Sequence, residues 1–187
     1  MPRATKEQSE ATAAAVRQTA RRLFADHGYA AIGLEQVAAE AGVTRGAVYH
    51  HFGSKKDLFV AVLTEAQASV ARAVAEAAPG EDWQAIEDGC LAFMRASVAP
   101  DVRRIMLIDA PAVVGWAQWR RLDREASGRL LEEGLGAQAD LLVAPAAAVA
   151  LLNGAMNEGA LVIAEGGDAA EVEQGLIRMV RSLRSNS

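Results

Sequence analysis

Apolar residues recur along this chain at helical spacing, and the breaks between periodic runs fall at glycine and proline. Val16, Ala20, Leu23 and Phe24 stand at i, i+4, i+7 and i+8, one face of a helix over about 6–27. Gly28 follows as its C-cap residue. A short second helix over about 34–41 carries Val37, Ala38 and Ala41, and Gly42 supplies the left-handed backbone of a tight turn. Thr44 suits the N-cap of a third helix bearing Val48, Tyr49 and Phe52. After Gly53, Ser54 with Asp57 three residues on reads as a capping box, opening a fourth helix to about 78. Its apolar rows are Leu58/Val62 and Phe59/Leu63/Ala66/Val70, and Pro79-Gly80 stops it.

Beyond that stop the pattern predicts five more helices, over about 83–99, 102–109, 112–133, 145–165 and 169–184. Pro100, Gly134-Leu135-Gly136 and Gly166-Gly167 are the expected breaks. Runs of alternating β-branched and aromatic residues are absent. The expected fold is therefore all-α with about nine helices: an N-terminal three-helix head (1–56) and a helical-bundle body (57–187).

Composition sharpens this picture at a few points. The chain has 187 residues, long enough to bury a core without covalent staples. Its single cysteine, Cys90, precludes an internal disulfide, suits a reducing compartment such as the cytoplasm, and reads as a small buried apolar residue. No apolar run opens the chain as a signal peptide does. The most apolar stretch, 141–164, contains Pro145, Asn153, Asn157 and Glu158, so a buried helix is expected there and no membrane span. Net charge is −5, yet residues 1–60 carry eight Lys/Arg against six Asp/Glu, and residues 61–187 carry eleven against eighteen. A mildly basic head on an acidic body orients an encounter with a polyanion.

Residues 35–52 place two short helices around a glycine turn, the geometry in which a second helix enters the DNA major groove while the first braces it. Small Ala38 and Ala41 allow close helix approach, and Gly46 lets the start of the third helix come near phosphates or bases. Thr44, Arg45 and Ala47 fall near the exposed start of that helix, where Arg45 has reach to a guanine edge or phosphate. Lys55 offers its charge and a helix N-terminal amide to phosphate. His50 is expected to face DNA and His51 the interior of the head; adjacent residues on a helix diverge by about 100°, so no metal site is expected. No cofactor is expected either. Gly134-Leu135-Gly136-Ala137-Gln138-Ala139 fits a dinucleotide fingerprint in letters only, because a helix and no strand precedes it.

On these residues the chain resembles the TetR family of bacterial transcriptional regulators. The resemblance rests on Ala20-Arg21-Arg22-Leu23-Phe24, His27-Gly28-Tyr29, Val37-Ala38, Ala41-Gly42-Val43-Thr44, Gly46, Tyr49-His50-His51-Phe52 and Ser54-Lys55-Lys56-Asp57-Leu58. It covers about the first third of the chain. Gly33 departs from it, standing where the family has a Thr or Ser cap. In the body only the stretch Leu107-Ile108-Asp109-Ala110-Pro111 to Gly115-Trp116 is family-like. The resemblance implies a homodimer that binds a palindromic operator on double-stranded DNA, with Tyr49 touching the DNA backbone through its hydroxyl. It also implies a small-molecule effector in the body and dimerisation through the last two helices.

Candidate effector contacts are Phe93, Met94, Ser97, Met106, Trp116, Asn153 and Asn157; amides inside an apolar stripe want partners, here a ligand or a polar pair at the dimer seam. Candidate seam residues are Ala147, Leu151, Gly154, Ala155, Leu176, Met179 and Val180. An enzyme is not expected, since no phosphate loop, metal quartet or nucleophile elbow is present. An activator, or a head that has lost DNA binding, are the remaining readings of the same sequence.

Overall fold

A computed structural model describes residues 6–185. Among them the chain forms nine helical rods and no sheet; one isolated antiparallel bridge pairs Leu141 with Arg184. The rods are α1 (Lys6–His27), α2 (Leu34–Glu40), α3 (Arg45–Phe52), α4 (Lys55–Ala77), α5 (Trp83–Ser97), α6 (104–114), α7 (116–136), α8 (Pro145–Ala164) and α9 (Ala169–Ser182).

The head is built by local chemistry that the sequence announces. Gly42, at φ +68°, lets Val43 N–H reach the Ala38 carbonyl (3.0 Å) and Gly42 N–H the Ala39 carbonyl (3.2 Å). These two bonds are a Schellman cap and set the angle at which α3 leaves α2. Thr44 Oγ1 accepts from Ala47 N–H at 3.1 Å, and Ser54 Oγ accepts from Asp57 N–H at 3.0 Å. The expected capping box at Ser54 forms by half. The Asp57 carboxylate takes the Ser54 hydroxyl at 2.5 Å, while Ser54 N–H donates to the Phe52 carbonyl. A glutamate has one more methylene with which to reach back to the N-cap amide. Gly33 caps α2 with extended backbone and no side-chain bond.

The rings of Phe24, Tyr29 and Phe59 meet pairwise at 5.0–5.8 Å and join α1, the α1–α2 turn and α4. Val37, Val48 and Leu58 are fully buried around them. α4 passes unbroken through position 56, with α1 packed on its first half and α5 on its second. Head and body are tied further by ion pairs Arg17–Glu65 (2.5 Å) and Arg21–Asp101 (2.7 Å). Tyr29 N–H donates to the Asp109 carboxylate at 2.7 Å. Gly28 is favoured by its φ of +85°, and it lets the Arg104 guanidinium of α6 come close, Nε 2.9 Å from where a Cβ would lie.

In the body the expected helix boundaries shift. The break predicted at 109–112 falls instead at Gly115, at φ +85°, while the one predicted at Gly134–Gly136 is where α7 ends, at Gly136. Trp119 and Leu135, both buried, anchor the two ends of that rod in the core. π-turns at Arg104–Asp109 and Arg124–Gly128 let α6 and α7 bend around the core. The α7–α8 loop is pinned by Asp140, which accepts from Trp83 Nε1 (2.8 Å) and Arg184 Nε (3.1 Å).

The expectation of a buried helix at 141–164 is met only in part. By length and composition α4 and α8 are each long and apolar enough to cross a membrane, and only 28% of the α8 segment is buried in this one chain. Ala148, Leu152, Met156 and Ala160 face the core, while Ala147, Leu151, Gly154 and Val162 face outward.

Candidate nucleic-acid interface and body cavity

α3 buries one side chain completely, Val48, and turns Thr44, Arg45, Gly46, Tyr49 and His50 outward. Ala47 is half-buried between the two faces. The spacing explains this: 45 and 49, and 46 and 50, are i, i+4 neighbours on one side of a helix, and 48 lies opposite. Arg45 is held in place. It pairs with Glu35 at 2.6 Å, donates to the Tyr49 hydroxyl at 3.2 Å, and lies 5.2 Å from that ring's centroid. Such exposed pairs are individually weak, so they orient Arg45 without committing it.

Gly46 has open space around it: a Cβ there would meet only Thr44 Oγ1, at 3.9 Å. The packing of this chain does not require glycine at that position. His50 is exposed with its ring 5.5 Å from that of His51, which is half-buried. Among the described residues no three His, Cys, Asp or Glu side chains converge as a metal site.

Lys55, at the first turn of α4, folds back over the Tyr29 ring, its Nζ 4.2 Å from the centroid. Desolvation lowers its pKa and the nearby Asp109 carboxylate opposes that shift. Burial raises the pKa of the Tyr29 phenol beneath it. Lys55 thus sits between the outer face of the head and Asp109 of the body.

The body holds a cavity of about 290 Å³ between α4, α5 and α7. Of the seven candidate effector contacts only Phe93 lines it. Met94, Ser97 and Met106 are buried elsewhere in the core. Trp116 is 61% exposed, stacked beside Trp119 at 4.8 Å, because the Gly115 turn swings it outward. Trp119 stays in, donating to the Met106 carbonyl at 2.9 Å.

Asn153 and Asn157 do meet, and a third residue completes them: Asn157 Nδ2 lies 3.1 Å from Asn153 Oδ1 and 3.4 Å from the carboxylate of Asp123, itself only 3% exposed. Desolvation raises the pKa of Asp123, and the two amides oppose that shift. The sequence reasoning passed over Asp123. It also passed over Gln67, although Gln67 stands in the apolar row of Leu63, Val70 and Val74, a signal present in the letters alone.

The candidate seam residues divide. Ala147, Leu151 (63% exposed), Gly154 and Met179 (47% exposed) lie on the outside of α8 and α9. Ala155 is half-buried against the core. Leu176 and Val180 are buried within the subunit, because α9 turns those two toward α8 and α5. They are core residues and not seam residues.

Comparison with known proteins fits this geometry. Residues 16–62 match the family profile "Bacterial regulatory proteins, tetR family", and residues 83–186 match "Tetracyclin repressor-like, C-terminal domain". The regulator AcrR of Shigella flexneri is 29% identical over 110 residues, which are 57% of this chain and 51% of that protein. The repressor AcnR of Corynebacterium glutamicum is 44% identical over 57 residues, 30% of each chain. The chain thus spans about half the length of the first relative and under a third of the second. A solved TetR-family regulator from Pectobacterium atrosepticum is 32% identical, covers 98% of this chain and 99% of its own, and superposes with a TM-score of 0.77. The second profile alone spans more than half of the residues, and this chain belongs to the TetR family of regulators.

Proposed function

We propose that this protein is a cytoplasmic DNA-binding transcriptional repressor. In this reading the head, residues 1–56, holds the operator and the body, residues 57–187, dimerises and senses a small molecule. The observation that carries it is the outward face of α3: Thr44, Arg45, Gly46, Tyr49 and His50 share one exposed side, set by a Schellman turn and a threonine cap. In this reading Thr44, Arg45, Ala47 and His50 meet base edges, and Tyr49 and Lys55 meet phosphates.

A two-fold dimer would place two such helices about 34–36 Å apart on a palindrome. The exposed apolar stripe Ala147, Leu151 and Gly154 on α8, with Met179 on α9, supports pairing of these helices across the two-fold axis. A ligand that prefers a different head spacing weakens DNA binding reciprocally, by about 1–3 kcal/mol of coupling. Asp109 on α6, bonded to Tyr29 N–H and near Lys55, lies where such coupling would pass.

The test is fluorescence anisotropy on DNA from upstream of the protein's own gene across a salt series. Binding that resists competitor DNA, weakens steeply with salt and is lost in Tyr49→Ala supports the reading. Affinity equal to that for random DNA sinks it. Sedimentation showing only monomer at micromolar concentration would remove the dimer.

A further inference from the structure

The body cavity grades from an apolar floor to an acidic mouth. Val74, Ile86, Cys90, Phe93 and Met156 line it and are buried, and none of its buried wall is charged. Burial pushes the Cys90 thiol up to about 12, so it is neutral at pH 7. At the exposed mouth stand Glu81, on the loop after α4, and Glu133, near the end of α7. No Lys, Arg or His lines the space. At roughly 30 Å³ for each water-sized group, the volume suits about ten non-hydrogen atoms.

One side chain holds both glutamates at the same opening. Gln138 Nε2 donates to the Glu81 carbonyl at 2.6 Å and to the Gly134 carbonyl at 2.9 Å. A single amide thus pins the backbone of Glu81 beside that of the residue after Glu133. Neither carboxylate is firmly neutralised by the protein. Glu81 has no ion pair among the described residues, and Glu133 has only Arg129, at 3.8 Å with both side chains largely exposed. Glu87, near Cys90, differs: Arg181 binds both its oxygens, at 2.9 and 2.7 Å. A carboxylate guest loses its water on the floor or meets like charge at the mouth, and no cation lines the space to offset either. A neutral guest gains the floor alone. A guest with an apolar body and a cationic end gains both, as a lysine does when its stem is buried and its head stays in water.

We propose that the cavity takes a small amphipathic cation, an ammonium on an apolar body, with the body against Cys90, Phe93 and Met156 and the charge at the mouth beside Glu81 and Glu133. Exposed carboxylates act through water, so each adds a few-fold to affinity and the apolar floor supplies the rest. This names the effector class of the repressor proposed above, and rests on that reading for its regulatory meaning though not for binding.

The experiment is titration calorimetry of the full chain at pH 7 and low salt with three probes of one shape: 3-phenylpropylamine, 3-phenylpropan-1-ol and 3-phenylpropanoate. At that pH the first is a cation and the last an anion. The expected result is the amine binding about tenfold more tightly than the alcohol, no heat from the acid, and a ratio that shrinks as salt is raised. The double variant Glu81→Gln with Glu133→Gln, first checked by thermal melting, is expected to bring that ratio to about one while the alcohol binds as before. Cys90→Leu, which fills the floor, is expected to weaken amine and alcohol alike. Alcohol or acid binding as tightly as the amine overturns the proposal. So does a ratio unchanged in the folded double variant, undiminished binding in Cys90→Leu, or binding by none of the three. Operator binding of the ligand-free protein is measured in parallel. Its absence removes the repressor reading alone; failure of the probes with intact operator binding removes the ligand class alone.

Discussion

The head and the body of this molecule use the same element, the amphipathic helix, under opposite constraints. In the head every turn is closed by a recognisable device: Gly28 and Gly42 at positive φ, Thr44 and Ser54 accepting amides, and three aromatic rings in mutual contact. In the body, α6, α7 and α8 start without side-chain caps, two π-turns interrupt the helices, and among the described residues a cavity and four unpartnered buried polar atoms remain inside, against one, Arg21 Nε, in the head. A surface that must fit a fixed duplex benefits from rigid local geometry. On the function proposed, a chamber that admits a guest and responds to it benefits from slack, and low local stability is where such motion is found.

That contrast is open to direct attack. The largest effect is expected from Phe59→Ala, which removes the centre of the aromatic trio. About 3–5 kcal/mol of stability should be lost in urea melts, enough to unfold a marginal head. An unchanged midpoint would show that the trio does not hold the head together.

A pair of enlargements comes next. Ala38→Leu, in the filled α2–α3 contact, should cost about 1–3 kcal/mol. Cys90→Leu, on the cavity wall, should cost less than that in the same urea series, because there is space to receive the added atoms. Equal costs would erase the distinction between filled head and slack body.

Thr44→Val keeps the shape and deletes the cap acceptor of α3, for an expected loss of about 1 kcal/mol in chemical denaturation. The smallest effect concerns Asp123. Its folded-state pKa lies above its ordinary value, so the folded state binds the proton more readily than the unfolded state does. Its contribution therefore favours folding at low pH and is lost as pH rises through the folded pKa. Asp123→Asn should then gain stability relative to the parent as pH rises from 4 towards 8, read as the difference between urea midpoints. A difference that is flat with pH, or of the opposite sign, would show that burial does not penalise this carboxylate.

Legibility follows the same division. The helix over about 6–27 was read from its spacing, and its end at His27 was placed correctly, because its apolar stripe and Gly28 cap are local facts. The outward set on α3 was read equally well, since i, i+4 spacing alone separates Val48 from Tyr49. Trp116 was misread as a cavity wall. Nothing in a tryptophan at helical spacing reveals that the Gly115 turn swings it to solvent. Leu176 and Val180 were misread as seam residues for a related reason: an apolar stripe does not say which neighbour it packs against, its own chain or another.

What the sequence determined by itself is the set of elements and the chemistry of the head, because caps, turns and periodicity act over four or five residues. Tertiary structure decided that α6 continues to Val114 and that the chain breaks at Gly115, and not at 109–112. It decided that Arg45 is held by Glu35 and Tyr49, and that Lys55 lies over the Tyr29 ring. It also decided that Gln67, Ser97, Asp123 and Asn157, from four different helices, are buried. Those outcomes depend on which faces meet, and faces from distant parts of a chain meet only when the whole core closes.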